Sequence, residues 1–212
     1  MKNNWIDSPF FRAMSFIGDV FFLNLCWLLG CVPLVTVGAS TSAAFSVAGK
    51  MAAKEPYRVF HDYGMAFKRD FGLATRTWLV FAVVGALIVA DYAIGLANPG
   101  AWGGALIGVA AAAALVWLCA TGCSFALLGR YTYAHVTPLF KDGLRLCVGC
   151  PQGALVWAVT LALLPVAYSL SLNVFWYLFP LWLVIGGGTG LVATARLLRP
   201  FFARLEKKNE IS

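Results

Sequence analysis

Runs of about 20 apolar residues recur along the chain, and they limit its fold more than any other feature, because a membrane-crossing helix needs a run of that length. The clearest four are Trp78 to Ala97, Trp102 to Leu128, Ala154 to Leu172 and Phe175 to Leu198. Hydrophobic residues make up 61% of the 212 residues and charged residues only 12%. A soluble domain is about a quarter charged, so these few charges could not cover a soluble surface. The sequence therefore predicts an all-α, polytopic membrane helix bundle.

An earlier stretch, "DVFFLNLCWLLGCVPLVTVGAST" from Asp19 to Thr41, is equally apolar but is interrupted by Pro33. Proline disfavours the interior of a helix, where it removes a hydrogen bond and kinks or breaks the helix, so Pro33 predicts the end of the first arm of a hairpin. The second arm, residues 38–53, has small residues at four-residue spacing, which allow membrane helices to approach closely. These small residues are Ser40, Ala44 and Ala48. Thr36 or Ser40 is the expected N-cap of this arm.

The distribution of the 16 Lys and Arg residues predicts how the chain is threaded. Short cytoplasmic loops of membrane proteins are enriched in these residues. All 16 fall on one side if the chain crosses six times, whereas the loops "ANPGAWGG" and "SLSLN" contain none. We therefore predict a single integral membrane domain, 1–212, in a bacterial cytoplasmic membrane with both termini cytoplasmic. The predicted spans are 16–35, 38–53, 76–97, 102–128, 154–172 and 175–198. The second span is short, and a re-entrant hairpin with the same parity is the alternative.

Two basic connectors carry helical periodicity. In "YRVFHDYGMAFKRDF" the predicted apolar stripe contains Tyr57, Phe60, Gly64, Phe67 and Phe71. In "YAHVTPLFKDGLRLC" it contains Val136, Leu139, Phe140, Leu144 and Cys147, and the tail "RLLRPFFARLEKK" repeats the pattern. Such helices either lie on anionic lipid headgroups or dock a cytoplasmic partner. The candidate docking residues are Phe67, Lys68, Arg69, Phe140, Lys141 and Arg145.

Three polar residues of the first hairpin form the candidate membrane site: Asp19, Asn24 and Thr36. A carboxylate inside an apolar run is a functional candidate by default. Asp19 has an alternative role, because Arg12 lies two turns earlier on the same helical face and can pair with it. Asn24 is expected either to join two helices by a hydrogen bond or to contact a solute.

No catalytic, cofactor or metal site is expected. His61 and His135 lie in basic connectors without a carboxylate relay or a nucleophile, so the sequence predicts no enzyme. "CVGC", from Cys147 to Cys150, is half of a zinc motif, and a structural zinc site needs a second pair or added histidines. The cysteines are expected to be reduced, buried thiols. "GGGTG", residues 186–190, lies within a span and predicts close helix packing.

The hairpin residues also carry a family resemblance. The series Asp19, Asn24, Leu28, Pro33, Thr36 and Gly38 resembles the N-terminal pattern of the YesL-like family, as do the segments "AFKRDF" and "TYAHVTPLFKDGLRLC". The resemblance implies a bacterial multi-pass protein found beside sugar-uptake ABC transporters and glycoside-degrading enzymes, and it implies no catalytic residues.

The sequence therefore leaves two hypotheses for the function. The first is an accessory or interaction subunit of oligosaccharide uptake, with ABC transporter subunits or a second copy of the chain as partners besides the lipid bilayer. The alternative is a small-solute transporter that uses the polar residues of the first hairpin. No nucleic-acid partner is expected.

Overall fold

The computed structural model describes residues 9–98 and 100–209, without the side chains of Pro9, Arg12 and residues 204–209. The described residues form an α-helical bundle without strands. The helices are α1 (Pro9–Cys31), α2 (Val37–Ala53), α3 (Val59–Ala97), α4 (Ala101–Arg130), α5 (Val136–Gly149), α6 (Pro151–Leu170), α7 (Leu172–Leu181) and α8 (Gly187–Asn209). A 3₁₀ turn, Leu34–Thr36, precedes α2, and a π-helical segment, Trp182–Gly186, joins α7 to α8.

Five segments of the described chain are long and apolar enough to cross a membrane. They are Ala13–Cys31, Val59–Ala97, Ala101–Arg130, Pro151–Leu170 and Leu172–Ala203. Five of the six predicted spans therefore have a helix of sufficient length and apolarity, and the expected all-α bundle is confirmed. The helix α2 has only 17 residues, about 26 Å at about 1.5 Å per residue. Its complete crossing stays a prediction.

The short helix α2 is the most enclosed element of the bundle, packed against α1, α3, α4 and α8. Its small residues Ser40, Ala44 and Ala48 are completely buried. On α4, a Cβ added at Gly129 would lie 2.7 Å from the carbonyl oxygen of Ser42. Close approach through small residues, as the spacing predicted, therefore places α2 in the centre of the bundle.

The helix α3 is a single helix of 39 residues, about 58 Å long at about 1.5 Å per residue. The first connector is helical, as its periodicity predicts, but it continues without a break into the apolar span of α3. The predicted stripe is wrong at Phe60 and Phe71, which are exposed. The buried residues of α3 are Val59, Ala66, Asp70, Ala74, Thr77, Phe81 and Gly95.

The α1–α2 hairpin is shorter than the α3–α4 hairpin. Its turn lies beside the middle of α3, where the indole Nε1 of Trp78 donates a hydrogen bond to the carbonyl oxygen of Leu34 at 2.7 Å. From Trp78 to Ala97, α3 continues for about 28 Å. Both hairpins pack side by side only along the first half of α3.

The helix α5 is the predicted amphipathic helix of the second connector. Leu139, Gly143 and Leu146 are buried, and Phe140 is half-buried against Phe81 with ring centroids 4.9 Å apart. Leu144 was expected on this buried side, but it is 59% exposed. The buried positions recur at spacings of three and four, so residue 144 falls on the next face.

Glycines let α8 approach α1 and α6. A Cβ added at Gly188 would lie 2.6 Å from the carbonyl oxygen of Val20, and one added at Gly190 would collide with Thr160. The close packing predicted from "GGGTG" is confirmed. The predicted tail helix is present as the end of α8, with Leu198 and Phe202 buried and Pro200 inside the helix.

Candidate functional site

A cavity of about 360 Å³ lies between α2, α3, α4 and α8, and we call it the basic cavity. Each of these helices contributes one cation: Lys50, Arg69, Arg130 and Arg199. Glu55 is the one acid in its lining. The remaining lining residues are Phe45, Ser46, Gly49, Ala126, Gly129, Tyr131, Ala195 and Phe202. The basic segments that were predicted to share one side of a membrane therefore meet at one end of the described bundle.

Behind the wall of the cavity lies Asp70, which is 4% exposed. Arg69 donates to both of its carboxylate oxygens, from Nε at 2.7 Å and from Nη2 at 2.8 Å. Ser42 of α2 adds a hydrogen bond at 3.0 Å, and Arg69 Nη2 also reaches the carbonyl oxygen of Gly129 at 3.4 Å. Because a buried carboxylate requires charged and hydrogen-bonding partners, this group connects α2, α3 and α4.

Two further cations bond groups near the end of α2. Lys50 Nζ lies 3.0 Å from Oδ2 of Asp62. Arg199 Nη1 of α8 approaches the carbonyl oxygen of Ala52 at 3.5 Å. The last carbonyls of a helix lack partners within it, so basic side chains there are stabilising. Two of the cations that line the cavity therefore also make contacts near the C-terminal end of α2.

Aromatic rings form the other part of the wall. The guanidinium carbon of Arg130 lies 5.2 Å from the ring centroid of Phe202, a cation–π distance. Tyr131 packs edge-on against the same ring, with centroids 5.9 Å apart. The cavity therefore presents cations beside an aromatic surface.

Sequence reasoning missed Asp70. The sequence pattern places "AFKRDF" in an amphipathic basic connector, in which an acid beside two basic residues is ordinary. The signal that could have identified Asp70 is its position among Ala66, Ala74 and Thr77, small residues at spacings of three and four that are all buried. A carboxylate within such a stripe faces the helix packing.

The predicted membrane site is not one site, because its three residues lie apart and each has its own partner. Asp19 Oδ2 accepts a 2.7 Å hydrogen bond from the hydroxyl of Tyr57, in the loop before α3. It lines an open groove of about 520 Å³ with Tyr57, Lys54 and Glu55. The expected pairing of Asp19 with Arg12 lies outside the described residues, because it depends on the Arg12 side chain.

The Asp19 contact changes the acidity of Tyr57. Burial, the hydrogen bond to Asp19 and the negative charge of Asp19 together raise the pKa of Tyr57 to about 12. In the next basic loop, burial and the charge of Asp142 raise the pKa of Tyr133 to about 12. Both hydroxyls therefore remain protonated donors at neutral pH.

Asn24 is 1% exposed, and it joins α1 to the π-helical segment. Its Nδ2 donates to the carbonyl oxygen of Leu183 at 2.6 Å. A π-type turn interrupts the regular α-helical ladder, so a carbonyl within it can take a side-chain donor. Asn24 Oδ1 is buried without a hydrogen-bond partner among the described residues. The geometry fits the helix-joining role.

Thr36 is the N-cap residue of α2, one of the two that were expected, but its side chain makes no capping hydrogen bond to the helix. Thr36 Oγ1 donates backwards to the carbonyl oxygens of Gly30 and Pro33, both at 2.8 Å. Ser40 lies inside α2, donates to the carbonyl oxygen of Trp27 at 2.7 Å and lies 2.8 Å from the hydroxyl of Tyr63. These hydroxyls bond carbonyls at the end of α1 and, at Pro33, in the turn that follows it.

The six candidate docking residues divide into exposed and packed groups. Lys68, Lys141 and Arg145 are exposed, and Arg145 pairs with Asp142 at 3.2 Å. Arg69 lines the basic cavity. Phe67 and Phe140 are half-buried within the bundle.

The cysteine pairing differs from the sequence pattern. Cys147 Sγ lies 3.2 Å from Cys123 Sγ of α4, and Cys150 Sγ approaches the carbonyl oxygen of Leu197 at 3.7 Å. The two cysteines of "CVGC" thus contact different elements. Within the described part of the chain, no group of three or more His, Cys, Asp or Glu residues is arranged to hold a metal ion.

Part of the chain matches a known protein family. Residues 20–92 match a family model described as "Protein of unknown function, DUF624". The matched region extends from α1 through α2 and most of α3, so it includes Asn24, Thr36 and Asp70. The chain matches none of the curated proteins and none of the solved structures with which it was compared.

Proposed function

We propose that this protein is an accessory membrane subunit of a bacterial oligosaccharide ABC transporter, with the basic end of its bundle in the cytoplasm. It acts by binding a partner protein and does not carry a solute itself. The resemblance to the YesL-like family supplies the setting of carbohydrate uptake. The positive-inside rule supports the orientation, because the basic loops lie at one end of the bundle.

The observation that carries the proposal is the outer face of α5. Leu144 is 59% and Val148 79% exposed, and the exposed cations Lys141 and Arg145 lie on the same face. Apolar residues beside cations fit a partner with an apolar contact surrounded by acidic residues. The described bundle leaves this face uncovered.

The contacts of the first hairpin argue against the carrier alternative. A carrier needs polar groups that can bind a solute near the membrane midplane. The amide of Asn24 instead donates to Leu183 and the hydroxyl of Thr36 to Gly30. Both donors are therefore already used in hydrogen bonds within the protein and are not directed at a solute.

Affinity purification from the native host in a mild detergent tests the proposal. Tagged parent protein should recover ABC permease or ATPase subunits, identified by mass spectrometry. Lys141→Glu/Arg145→Glu should lose them, because both cations of the α5 face become acids. Arg196→Glu is a control reversal of a single charge away from α5, since Arg196 lies beside Phe16 of α1. Recovery of the same subunits with both variants, or of no transporter subunit with the parent, would refute the proposal.

A further inference from the structure

We infer that the basic cavity between α2, α3, α4 and α8 is a binding site for a phosphate group, carried either by a lipid headgroup or by a small soluble ester. The inference does not depend on the α5 face or on carbohydrate uptake. It follows from the charge, the available donors and the size of the cavity.

The charge of the cavity favours an anion. Its lining has four cations and one acid, Glu55. Lys50 and Arg69 each also pair with one acid, Asp62 and Asp70, neither of which lines the cavity. Cations from four separate helices repel one another across this space. An anion that enters the cavity relieves the repulsion.

The cations keep hydrogen-bond donors for a ligand. A guanidinium has five N–H donors and an ammonium three. Arg69 uses Nε and Nη2 for Asp70 and Gly129, so its Nη1 has no partner among the described residues. Lys50 has one described partner, Asp62. Arg199 has one long contact, at 3.5 Å.

The size and shape of the site favour phosphate. A volume of about 360 Å³ is near the lower end of the range for small-molecule sites, about 300–1,000 Å³. Guanidinium groups match the oxygens of phosphate bidentately, and cations on several sides suit a group with three or more oxygens. Basic pockets between membrane helices are typical sites for anionic lipid headgroups. The Phe202 ring provides apolar wall for the part that carries the phosphate.

Gly49 allows a sharp test. It lines the cavity, and an added Cβ there would meet nothing within 4 Å. Gly49→Glu places a carboxylate at the cavity and removes none of its contacts. Gly49→Gln is the neutral control of the same size. Arg199→Gln removes a lining cation, and Arg196→Gln removes one from the same helix outside the cavity.

The experiment is thermal melting of the purified full chain in detergent at constant ionic strength. The probes are inorganic phosphate, glycerol 3-phosphate, and micelles doped with phosphatidylglycerol or, as control, phosphatidylcholine. A ligand of the folded state raises Tm. We expect a saturable rise in the parent, Gly49→Gln and Arg196→Gln, and at least about tenfold weaker binding in Gly49→Glu and Arg199→Gln, since a like charge or a lost cation opposes the anion.

Each outcome decides the question. A response to the soluble probes assigns a free phosphate ester, and a response to phosphatidylglycerol alone assigns a lipid headgroup. Absence of any response in the parent overturns the inference. So does equal binding by Gly49→Glu and Gly49→Gln, or equal loss in Arg199→Gln and Arg196→Gln. If Gly49→Glu does not fold, the two arginine variants decide.

Discussion

The hydroxyl of Tyr57 donates a 2.7 Å hydrogen bond to the carboxylate of Asp19 and so fastens the loop between α2 and α3 to α1. Replacing either partner tests this contact. We expect Tyr57→Phe and Asp19→Asn each to lower the free energy of unfolding by about 1–2 kcal/mol, the contribution of a hydrogen bond to a charged group at a partly exposed position. Thermal melts in detergent measure the change. If neither variant shifts the melt, the contact contributes no stability.

The same contact predicts a dependence on alkaline pH. The folded-state pKa of Tyr57 is raised to about 12, above the value of about 10 for an exposed tyrosine. Its contribution to stability is therefore complete below about pH 10 and is lost as the pH rises to about 12. The difference in Tm between the parent and Tyr57→Phe should shrink across this interval. Tyr133 titrates in the same way in both proteins, so it cancels from the difference. A difference that stays constant would contradict the assignment.

Replacing Asn24 by alanine should destabilise the protein less than replacing it by aspartate. Asn24→Ala removes one hydrogen bond inside the bundle, which costs about 0.6–1.7 kcal/mol among membrane helices. Asn24→Asp keeps the shape but turns an acceptor towards the Leu183 carbonyl in a site that is 1% exposed. An unpaired buried charge is far more costly. Asn24→Asp should therefore melt well below Asn24→Ala at pH 8, and equal melts would contradict the helix-joining role.

Glycine packing gives a prediction with an internal control. Gly188→Ala would place a Cβ 2.6 Å from the carbonyl oxygen of Val20, a backbone atom that cannot rotate away. Overpacking of this kind costs about 1–3 kcal/mol. Gly64→Ala on α3 meets nothing within 4 Å and should be neutral or stabilising, because alanine favours a helix by up to about 1 kcal/mol. Similar melts for the two variants would exclude close contact between α8 and α1.

The sequence predicted the elements better than the side-chain partners. The apolar runs predicted the long helices, and the small residues at 40, 44 and 48 predicted the close packing of α2. The faces of α3 and α5 were misjudged at Phe60, Phe71 and Leu144, because exposed and buried apolar residues look alike in a chain with lipid as its solvent. Asp70 and the Tyr57–Asp19 bond depend on contacts between separate helices, which periodicity within one helix does not contain.

Threading can be tested directly at the loops. In a cysteine-free background, single cysteines at Asn98 or Asn173 should react with an impermeant thiol reagent in intact cells. Cysteines at Lys68 or Lys141 should react only after permeabilisation, because the proposed orientation places the basic end in the cytoplasm. Labelling of the Lys68 position from outside would exclude this orientation.

The most direct measurement of the proposed function is oligosaccharide uptake by a deletion strain that carries one of two variants. Lys141→Glu/Arg145→Glu changes only the exposed face of α5, and Thr36→Val removes the hydroxyl that a carrier of the first hairpin would use. If the protein is an accessory subunit, the α5 variant should fail to restore uptake and Thr36→Val should restore it fully. Both variants must be present at the level of the parent protein. The reverse pattern, or uptake that is unaffected by the deletion itself, would contradict the account.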